Sequence, residues 1–204
     1  MSAITKAVLF DLGGVLERVV AAPQIEAWTR GQIPSDEFWH RWLAAQSVRL
    51  YETGKIGTLE FCEHVVDELE IRVSPQEFKY GFLTWLAGPY EGAAQLVGEV
   101  RTAGYKVASF SNSNEAHWPI MERHQDTMSI FDANFPSHQL GICKPDREAF
   151  AEVAKRWGIA PANILFLDDN EVNCDGARAA GMQAERALEV AGARTALVRR
   201  GILK

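Results

Sequence analysis

Four short apolar runs limit the fold of this chain more than any other feature. None is long enough for a typical helix, and their apolar residues cluster instead of recurring with a helical period. Such runs are typical of strands buried on both faces of a parallel sheet. They are AVLF at 7–10, YKVASF at 105–110, the weaker IFDANF at 130–135 and ILFL at 164–167, and a shorter candidate lies at 183–186.

Segments with helical periodicity separate these runs. In the second half of the chain they cover residues 91–103, 146–157 and 172–180, and each is followed directly by a glycine. Glycine is common just after the last residue of a helix because it readily adopts the left-handed conformation. Alternating strands and helices predict an α/β fold with a parallel sheet.

Residues 23–87 are different, because they show helical periodicity throughout and hold four of the six tryptophans. Ser35, Thr58 and Ser74 are each predicted to cap the start of a helix. Ser-Pro-Gln-Glu from Ser74 is a capping box with proline at the first helical position. The helix that starts at Ser35 is expected to end near Thr53. Aromatic residues at helical spacing predict the core of a small bundle.

The predicted bundle divides the chain into two units. We expect an α/β core made of residues 1–16 and 88–204, and an all-helical insertion made of residues 17–87. The insertion follows the first strand.

Polar residues follow three of the apolar runs. Asp11 follows the first run, Ser111-Asn112 the second and Asp168-Asp169 the fourth. Lys144 lies just before the predicted helix that precedes the fourth run. Taken singly, each is an ordinary turn or cap residue. Ligands of parallel α/β sheets bind beyond the carboxyl ends of the strands, so the set together predicts a functional site.

Four segments resemble, in order, the motifs of the haloacid dehalogenase-like superfamily: FDLGGVL, SFSNS, CKPD and FLDDNEVN. The resemblance covers essentially the whole chain, and GKIGTLEF resembles a recurrent cap segment. It implies a Rossmann-like parallel sheet core with an inserted all-helical cap of the C1 type. The match is closest to the branch with Asp-Leu-Gly in the first motif, which includes bacterial sugar-phosphate phosphatases.

The resemblance also implies a mechanism. Asp11 would attack the phosphorus of a small-molecule phosphomonoester, and water would cleave the aspartyl phosphate. Ser111 and Asn112 would bind phosphoryl oxygens, and Lys144 would neutralise charge. A Mg²⁺ ion would lie among Asp11, the carbonyl of Gly13, Asp168 and Asp169, with Asp168 acting directly or through water. Further contacts to substrate are expected from Gly13, Gly14, Arg18 and His117.

Gly13 departs from the family pattern. Most phosphatases of the superfamily carry a second aspartate there as general acid and then base, which is typically worth about 100- to 10,000-fold in rate. We therefore expect a slower enzyme that favours good leaving groups, such as anomeric sugar phosphates, or that uses another proton donor. His117 is a plausible stand-in. Gly13 is also compatible with a non-catalytic binding or regulatory protein.

Two enzymatic alternatives fit less well. A 2-haloacid dehalogenase needs no metal, whereas the Asp168-Asp169 pair favours one. A phosphomutase would need the missing acid even more.

The formal net charge of -6 argues against nucleic-acid and anionic-membrane partners. Three cysteines without a CxxC pair, and apolar runs too short for a signal peptide or membrane span, predict a cytoplasmic protein. The sequence predicts no oligomeric state.

Overall fold

The computed structural model describes residues 5–204, apart from the side chain of Ser35. Five parallel strands form the main sheet and two antiparallel strands form a small second one. In chain order the strands of the described residues are β1 Ala7–Phe10, β2 Glu17–Val19, β3 Leu86–Pro89, β4 Lys106–Ser111, β5 Ala133–Pro136, β6 Ile164–Asp168 and β7 Gln183–Arg186.

The helices fall into two groups. The inserted bundle contains α1 Ala22–Thr29, α2 Ser35–Ala44, α3 Gln46–Glu52, α4 Thr58–Glu68 and α5 Pro75–Phe82. The core contains α6 Ala93–Thr102, α7 Trp118–Met121, α8 Gln125–Met128, α9 Ser137–Leu140, α10 Arg147–Trp157, α11 Glu171–Ala179 and α12 Glu189–Arg199.

The main sheet has the order β5-β4-β1-β6-β7. The predicted α/β fold with a parallel sheet is therefore confirmed. Side chains alternate between the two faces of β1: Phe10 packs on the face that includes Leu96 of α6, and Leu9 on the face that includes Phe150 of α10. Both faces are covered by helices, which explains the unbroken apolar runs AVLF and ILFL of the central strands β1 and β6.

The register of the sheet brings the ends of its central strands together. Phe10 pairs with Ser109 of β4 and with Leu167 of β6. The next residues along these three strands therefore emerge at one edge, next to the helical bundle. This edge carries Asp11, Ser111 and Asp168.

A separate aromatic cluster forms the centre of the bundle. The buried apolar residues of this cluster lie between Ala21 and Trp85. Trp42 lies within 6 Å of the rings of Phe61, Phe82 and Trp85, at centroid distances of 5.9, 5.9 and 5.1 Å. This cluster lies within the predicted insertion, whose boundaries at 16/17 and 87/88 stay a prediction, and residues 1–4 lie outside the described part of the chain.

The predicted helix from Ser35 to about Thr53 is wrong, because Ala45 is extended and separates α2 from α3. The carboxylate of Glu68 accepts hydrogen bonds from the N–H groups of Gln46 and Ser47, at 2.7 and 2.9 Å. It thereby satisfies the free donors of a new helix start. The predicted role of Ser35 as a cap concerns a side chain outside the described residues.

The other two predicted caps have different outcomes. The Ser74 hydroxyl accepts a hydrogen bond from the Glu77 N–H at 3.2 Å, so this cap is confirmed. Thr58 is the first residue of α4 and not its cap, because Glu115 of the core accepts hydrogen bonds from its N–H and hydroxyl.

Residues 23–87 are not helical throughout. Leu86 and Ala87 belong to β3, which pairs antiparallel with β2 where the chain enters and leaves the bundle. The strand predicted at 130–135 also lies later, at β5.

Candidate active site

The carboxyl edge of the sheet and the bundle enclose a cavity of about 690 Å³. The core side of this cavity is polar and the bundle side is largely apolar. From the core come, among others, Asp11, Gly13, Gly14, Ser111, Asn112, Lys144 and Asp169. From the bundle and its entry strand come Val19, Trp39, Trp42, Leu43 and Glu52.

Lys144 is a buried cation between two carboxylates. Its Nζ lies 2.8 Å from Asp11 Oδ1 and 2.7 Å from Asp168 Oδ2. The ammonium group also lies over the rings of Phe110 and Phe166, at 5.5 and 5.4 Å from their centroids. Burial lowers the pKa of Lys144, but the negative charges of Asp11 and Asp168 outweigh burial and hold it above its usual range. Lys144 is therefore charged at neutral pH.

Asp11 lies in a site with more negative than positive charge. Burial raises the pKa of Asp11 to about 8, Lys144 opposes this rise, and the carboxylates of Asp168 and Asp169 add to it. A divalent cation would offset the excess negative charge and favour the ionised form of Asp11.

Three carboxylates are close enough to share such a cation. Each of Asp11, Asp168 and Asp169 has one carboxylate oxygen that lies within 4.8 Å of such an oxygen of the other two. Mg²⁺ prefers oxygen ligands at about 2.1 Å, so small side-chain adjustments suffice for it to bind more than one of them. The donor set therefore fits magnesium.

Asp168 is held by hydrogen bonds on both oxygens. Its Oδ1 accepts from the Asn170 N–H and the Asn173 amide at 2.8 and 3.0 Å. Its Oδ2 accepts from Lys144 Nζ and the Asn173 amide at 2.7 and 3.1 Å. A carboxylate offers about four acceptor positions, so this arrangement suits Asp168 to positioning Lys144. Asp11 and Asp169 have more capacity left for a metal.

Gly14 leaves room for Asp169. Its φ of 72° is in the left-handed region, and a Cβ there would lie 2.8 Å from the Asp169 Cγ. Such an approach forces one of the two groups to move. Any side chain at residue 14 would therefore displace Asp169.

Asn112 and Ser111 have separate roles in the geometry. The Asn112 side chain donates to the Lys144 carbonyl at 3.0 Å and accepts from the Lys144 N–H at 2.9 Å, so it fixes the loop that carries the lysine. The Ser111 hydroxyl makes a long, weak hydrogen bond of 3.4 Å to the Asn112 carbonyl. It can therefore turn toward an anion in the cavity.

The haloacid dehalogenase-like hydrolase family model matches residues 5–181. The chain belongs to this family of hydrolases.

A sesquiterpene phosphatase of Aspergillus oryzae is 25% identical to the chain over 179 residues, which are 87% of each protein. An (S)-2-haloacid dehalogenase of Burkholderia cepacia is 27% identical over 97 residues, 48% of this chain and 42% of the dehalogenase. The chain is also similar to the crystal structure of a haloacid dehalogenase family enzyme from Bacteroides thetaiotaomicron, with a TM-score of 0.71 and 25% sequence identity. The matched region covers 90% of this chain and 94% of the bacterial enzyme. The same bacterial enzyme is also solved with magnesium and inorganic phosphate.

Two residues expected to contact substrate in this hydrolase do not line the cavity. His117 is buried, its Nε2 lies 2.8 Å from the Phe82 carbonyl, and its ring stacks on Phe82 at 4.0 Å. Burial lowers the pKa of His117 to about 4, so the ring is neutral and already engaged. The expectation that His117 replaces the missing acid is therefore corrected. Arg18 is exposed and donates to the Ala87 carbonyl at 2.6 Å, which makes it part of the β2–β3 junction.

Gly13 lines the cavity and offers no side chain for proton transfer. Its φ is not in the left-handed region, and a Cβ built there would meet Val19 Cγ2 at an ordinary 3.6 Å. Space therefore does not require glycine at this position, unlike at Gly14.

Sequence patterns missed three charged residues of the cavity, Glu52 at the end of α3, Glu171 at the start of α11 and Arg186 at the end of β7. Arg186 Nε donates to the Asp169 carbonyl at 2.8 Å and so supports the loop after β6. Its place at a strand end was a usable signal. Glu52 precedes Gly54 by two residues, and that glycine marked a close approach of the bundle to the core.

No helix of the described residues is long and apolar enough to cross a membrane.

Proposed function

We propose that this hydrolase is a magnesium-dependent phosphomonoesterase that uses Asp11 as its nucleophile. The observation that carries the proposal is the arrangement of buried Asp11 and Lys144 with half-buried Asp169 at the cavity floor. A nucleophilic carboxylate, a fixed cation and a further carboxylate suited to a metal meet the two needs of phosphoryl transfer, positioning and charge neutralisation.

The residues divide the work of binding the ester. Lys144 and the Ser111 hydroxyl contact phosphoryl oxygens, while Asn112 holds the Lys144 loop and Asp168 orients the ammonium group. Asp11, Asp169 and the Gly13 carbonyl would hold Mg²⁺, which would supply Lewis-acid stabilisation of the charge on the transferring group. Asp11 attacks phosphorus in line with the departing alcohol oxygen, and water then cleaves the aspartyl phosphate.

The alcohol part of the substrate would lie against the bundle. The wall there consists of Val19, Trp39, Trp42 and Leu43, and Leu43 is 62% exposed. This surface favours an apolar or aromatic alcohol over a sugar, because a sugar needs several hydrogen-bonding partners to replace its lost hydration. A phosphate ester of a small apolar alcohol is thus our first candidate, in line with the relative named a sesquiterpene phosphatase, and an anomeric sugar phosphate is the second.

Phosphate release from p-nitrophenyl phosphate tests the activity, with Mg²⁺ and with EDTA. The wild type should be active with Mg²⁺ alone, Asp11→Asn inactive, and Asp67→Asn, at an exposed aspartate of α4, unaffected. A panel of prenyl, aryl and sugar phosphates then ranks the alcohols by kcat/KM. Activity that survives Asp11→Asn refutes the nucleophile, chloride release from 2-haloacids in EDTA supports a dehalogenase, and no turnover of any ester supports a binding protein.

A further inference from the structure

The proposed chemistry needs a proton donor on the side of the cavity that faces the bundle. In-line displacement places the departing oxygen opposite the attacking Asp11 carboxylate. Gly13 supplies no donor, and His117 does not line the cavity. Among the described cavity-lining residues from 17–87, Glu52 is the one with an ionisable side chain.

We propose that Glu52 is the general acid and base of the reaction, and that it takes the place of the aspartate missing at Gly13. This inference rests on the proposed phosphatase function. It assigns to the bundle a catalytic group that a family member with aspartate at that position would carry in its core.

Contacts on both sides fix Glu52 against the core. On the N-terminal side, Arg49 of the same helix forms an ion pair with Asp146 and lies 3.6 Å from Cys143 Sγ. These two core residues flank Lys144. The carboxylate of Glu52 is therefore presented from a helix end that is attached beside the catalytic lysine.

On the C-terminal side, Gly54 has a φ of 67°, and a Cβ there would collide with the His138 carbonyl. Thr58 lies four residues after Gly54. Its N–H and hydroxyl donate hydrogen bonds to the carboxylate of Glu115 in the core, at 2.7 and 2.6 Å. The turn after Glu52 is therefore also held on the core, which keeps the carboxylate in place without a flexible linker.

The surroundings of Glu52 suit a group that must exchange a proton. Burial raises the pKa of Glu52 to about 7. The charge of Lys144, a hydrogen bond from Asn112 and the charge of Arg49 each lower this pKa, but burial outweighs them. Cys143 also faces it, and burial together with the charge of Glu52 raises the pKa of that thiol to about 11, so the thiol is neutral. A donor whose pKa lies near the working pH is the most effective general acid.

The proton balance closes over two steps. In the first, the Asp11 oxygen bonds to phosphorus, the phosphorus–alcohol oxygen bond breaks with its electron pair on the alcohol oxygen, and the Glu52 proton moves to that oxygen. In the second, water bonds to phosphorus, the electron pair of the breaking bond returns to Asp11, and the ionised Glu52 takes the water proton. The products are alcohol and phosphate, and Glu52 is protonated again.

The test compares Glu52→Gln with wild type over phosphate esters that range from nitrophenyl to simple alkyl leaving groups. A good leaving group needs little protonation, so the loss in kcat/KM should be several-fold for p-nitrophenyl phosphate and about 100-fold or more for an alkyl phosphate. The second step should also slow. A rapid burst of p-nitrophenolate, stoichiometric with enzyme, should then precede slow turnover in Glu52→Gln.

Glu63→Gln, at an exposed position of α4, is the matched control and should behave as wild type. If Glu52→Gln does not fold by circular dichroism, Glu52→Asp keeps the acid but shortens its reach, and it should show the same growing loss with poorer leaving groups. A loss equal for all esters, or no loss, overturns the role of Glu52 alone. A wild type without Mg²⁺- and Asp11-dependent turnover overturns the proposed function, and this inference with it.

Discussion

Replacing Gly14 by alanine should separate two effects, backbone strain and displacement of Asp169, the proposed metal ligand. Gly14 adopts a φ of 72°, which costs a non-glycine residue about 1–2 kcal/mol. The added Cβ would in addition lie 2.8 Å from the Asp169 Cγ, so Asp169 has to move. The strain lowers the stability of the fold, and the displacement should weaken magnesium binding.

Gly31 provides the matched control. Its φ is 68°, and a Cβ there has no neighbour within 4 Å. Gly31→Ala should therefore carry the same strain without moving any ligand. Both variants should unfold about 2–8 °C below wild type without metal, since 1 kcal/mol corresponds to roughly 2–4 °C in a chain of this length.

Magnesium should then distinguish the two variants. At an ion concentration about 100-fold above Kd, binding stabilises the fold by about 2.7 kcal/mol. Misplacing a ligand commonly weakens a metal site by about 10- to 100-fold, and a loss of about 30-fold would leave roughly 0.9 kcal/mol of this stabilisation. Wild type and Gly31→Ala should keep the full rise in Tm, and Gly14→Ala should keep less than half of it.

Calorimetric titration with Mg²⁺, together with thermal unfolding at several ion concentrations, measures both quantities. Equal magnesium affinity in Gly14→Ala and Gly31→Ala would refute the reasoning, because it would mean that Asp169 either does not move or does not bind the ion. A larger loss of metal-free stability in Gly14→Ala alone would show that the displaced carboxylate also costs folding energy.

Three further outcomes are expected. Lys144→Met should abolish turnover and, without metal, lower the free energy of unfolding by about 3–5 kcal/mol in denaturant titrations, because it leaves buried carboxylates without their counter-charge. The pKa of His117 is lowered to about 4, so below about pH 6.5 the unfolded chain binds a proton that the folded chain does not. Stability should thus fall by up to roughly 3 kcal/mol between about pH 6.5 and 4, and denaturation curves of His117→Gln should lack this contribution. Finally, Gly13→Asp should restore alkyl phosphate turnover to Glu52→Gln by at least about tenfold in kcat/KM, and no gain would argue against a shared role of the two positions.

Residues adjacent to a strand end could be predicted from the sequence because local pattern fixes their place. Asp11, Ser111 and Asp168 follow buried runs, and a parallel sheet brings such positions to one edge. The order of the motifs then gave the family. These features depend on short segments and on a general rule of α/β sheets, so no distant contact had to be known.

Features set by distant contacts could not be predicted in this way. The break at Ala45 depends on Glu68, which is 22 residues from the Gln46 N–H that it caps. The strand pair at the base of the bundle joins segments about 70 residues apart, as the contact between Arg18 and Ala87 illustrates. Nothing near these positions in the sequence signals their partners.

Glu52 was missed for a related reason. A charged residue at the end of an amphipathic helix is ordinarily a solvated one, and only the packing of the bundle on the core turns this carboxylate toward Lys144. His117 was misjudged by the same limit, because closeness in sequence to Ser111 does not reveal that its ring is covered by Phe82.

The two walls of the cavity therefore predict two classes of variant. In the proposed mechanism the core wall holds the groups that respond to the charge of the phosphate, and this charge is common to every ester. Substitution at Lys144 or Asp169 should thus lower kcat/KM for all substrates by a similar factor. The bundle wall holds the apolar surface and Glu52, which in the same proposal meet the alcohol, so substitution there should change the ranking of substrates. A variant of Trp39 that altered every ester equally would contradict this division, because it would place the aromatic wall in contact with the phosphoryl group instead of the leaving group.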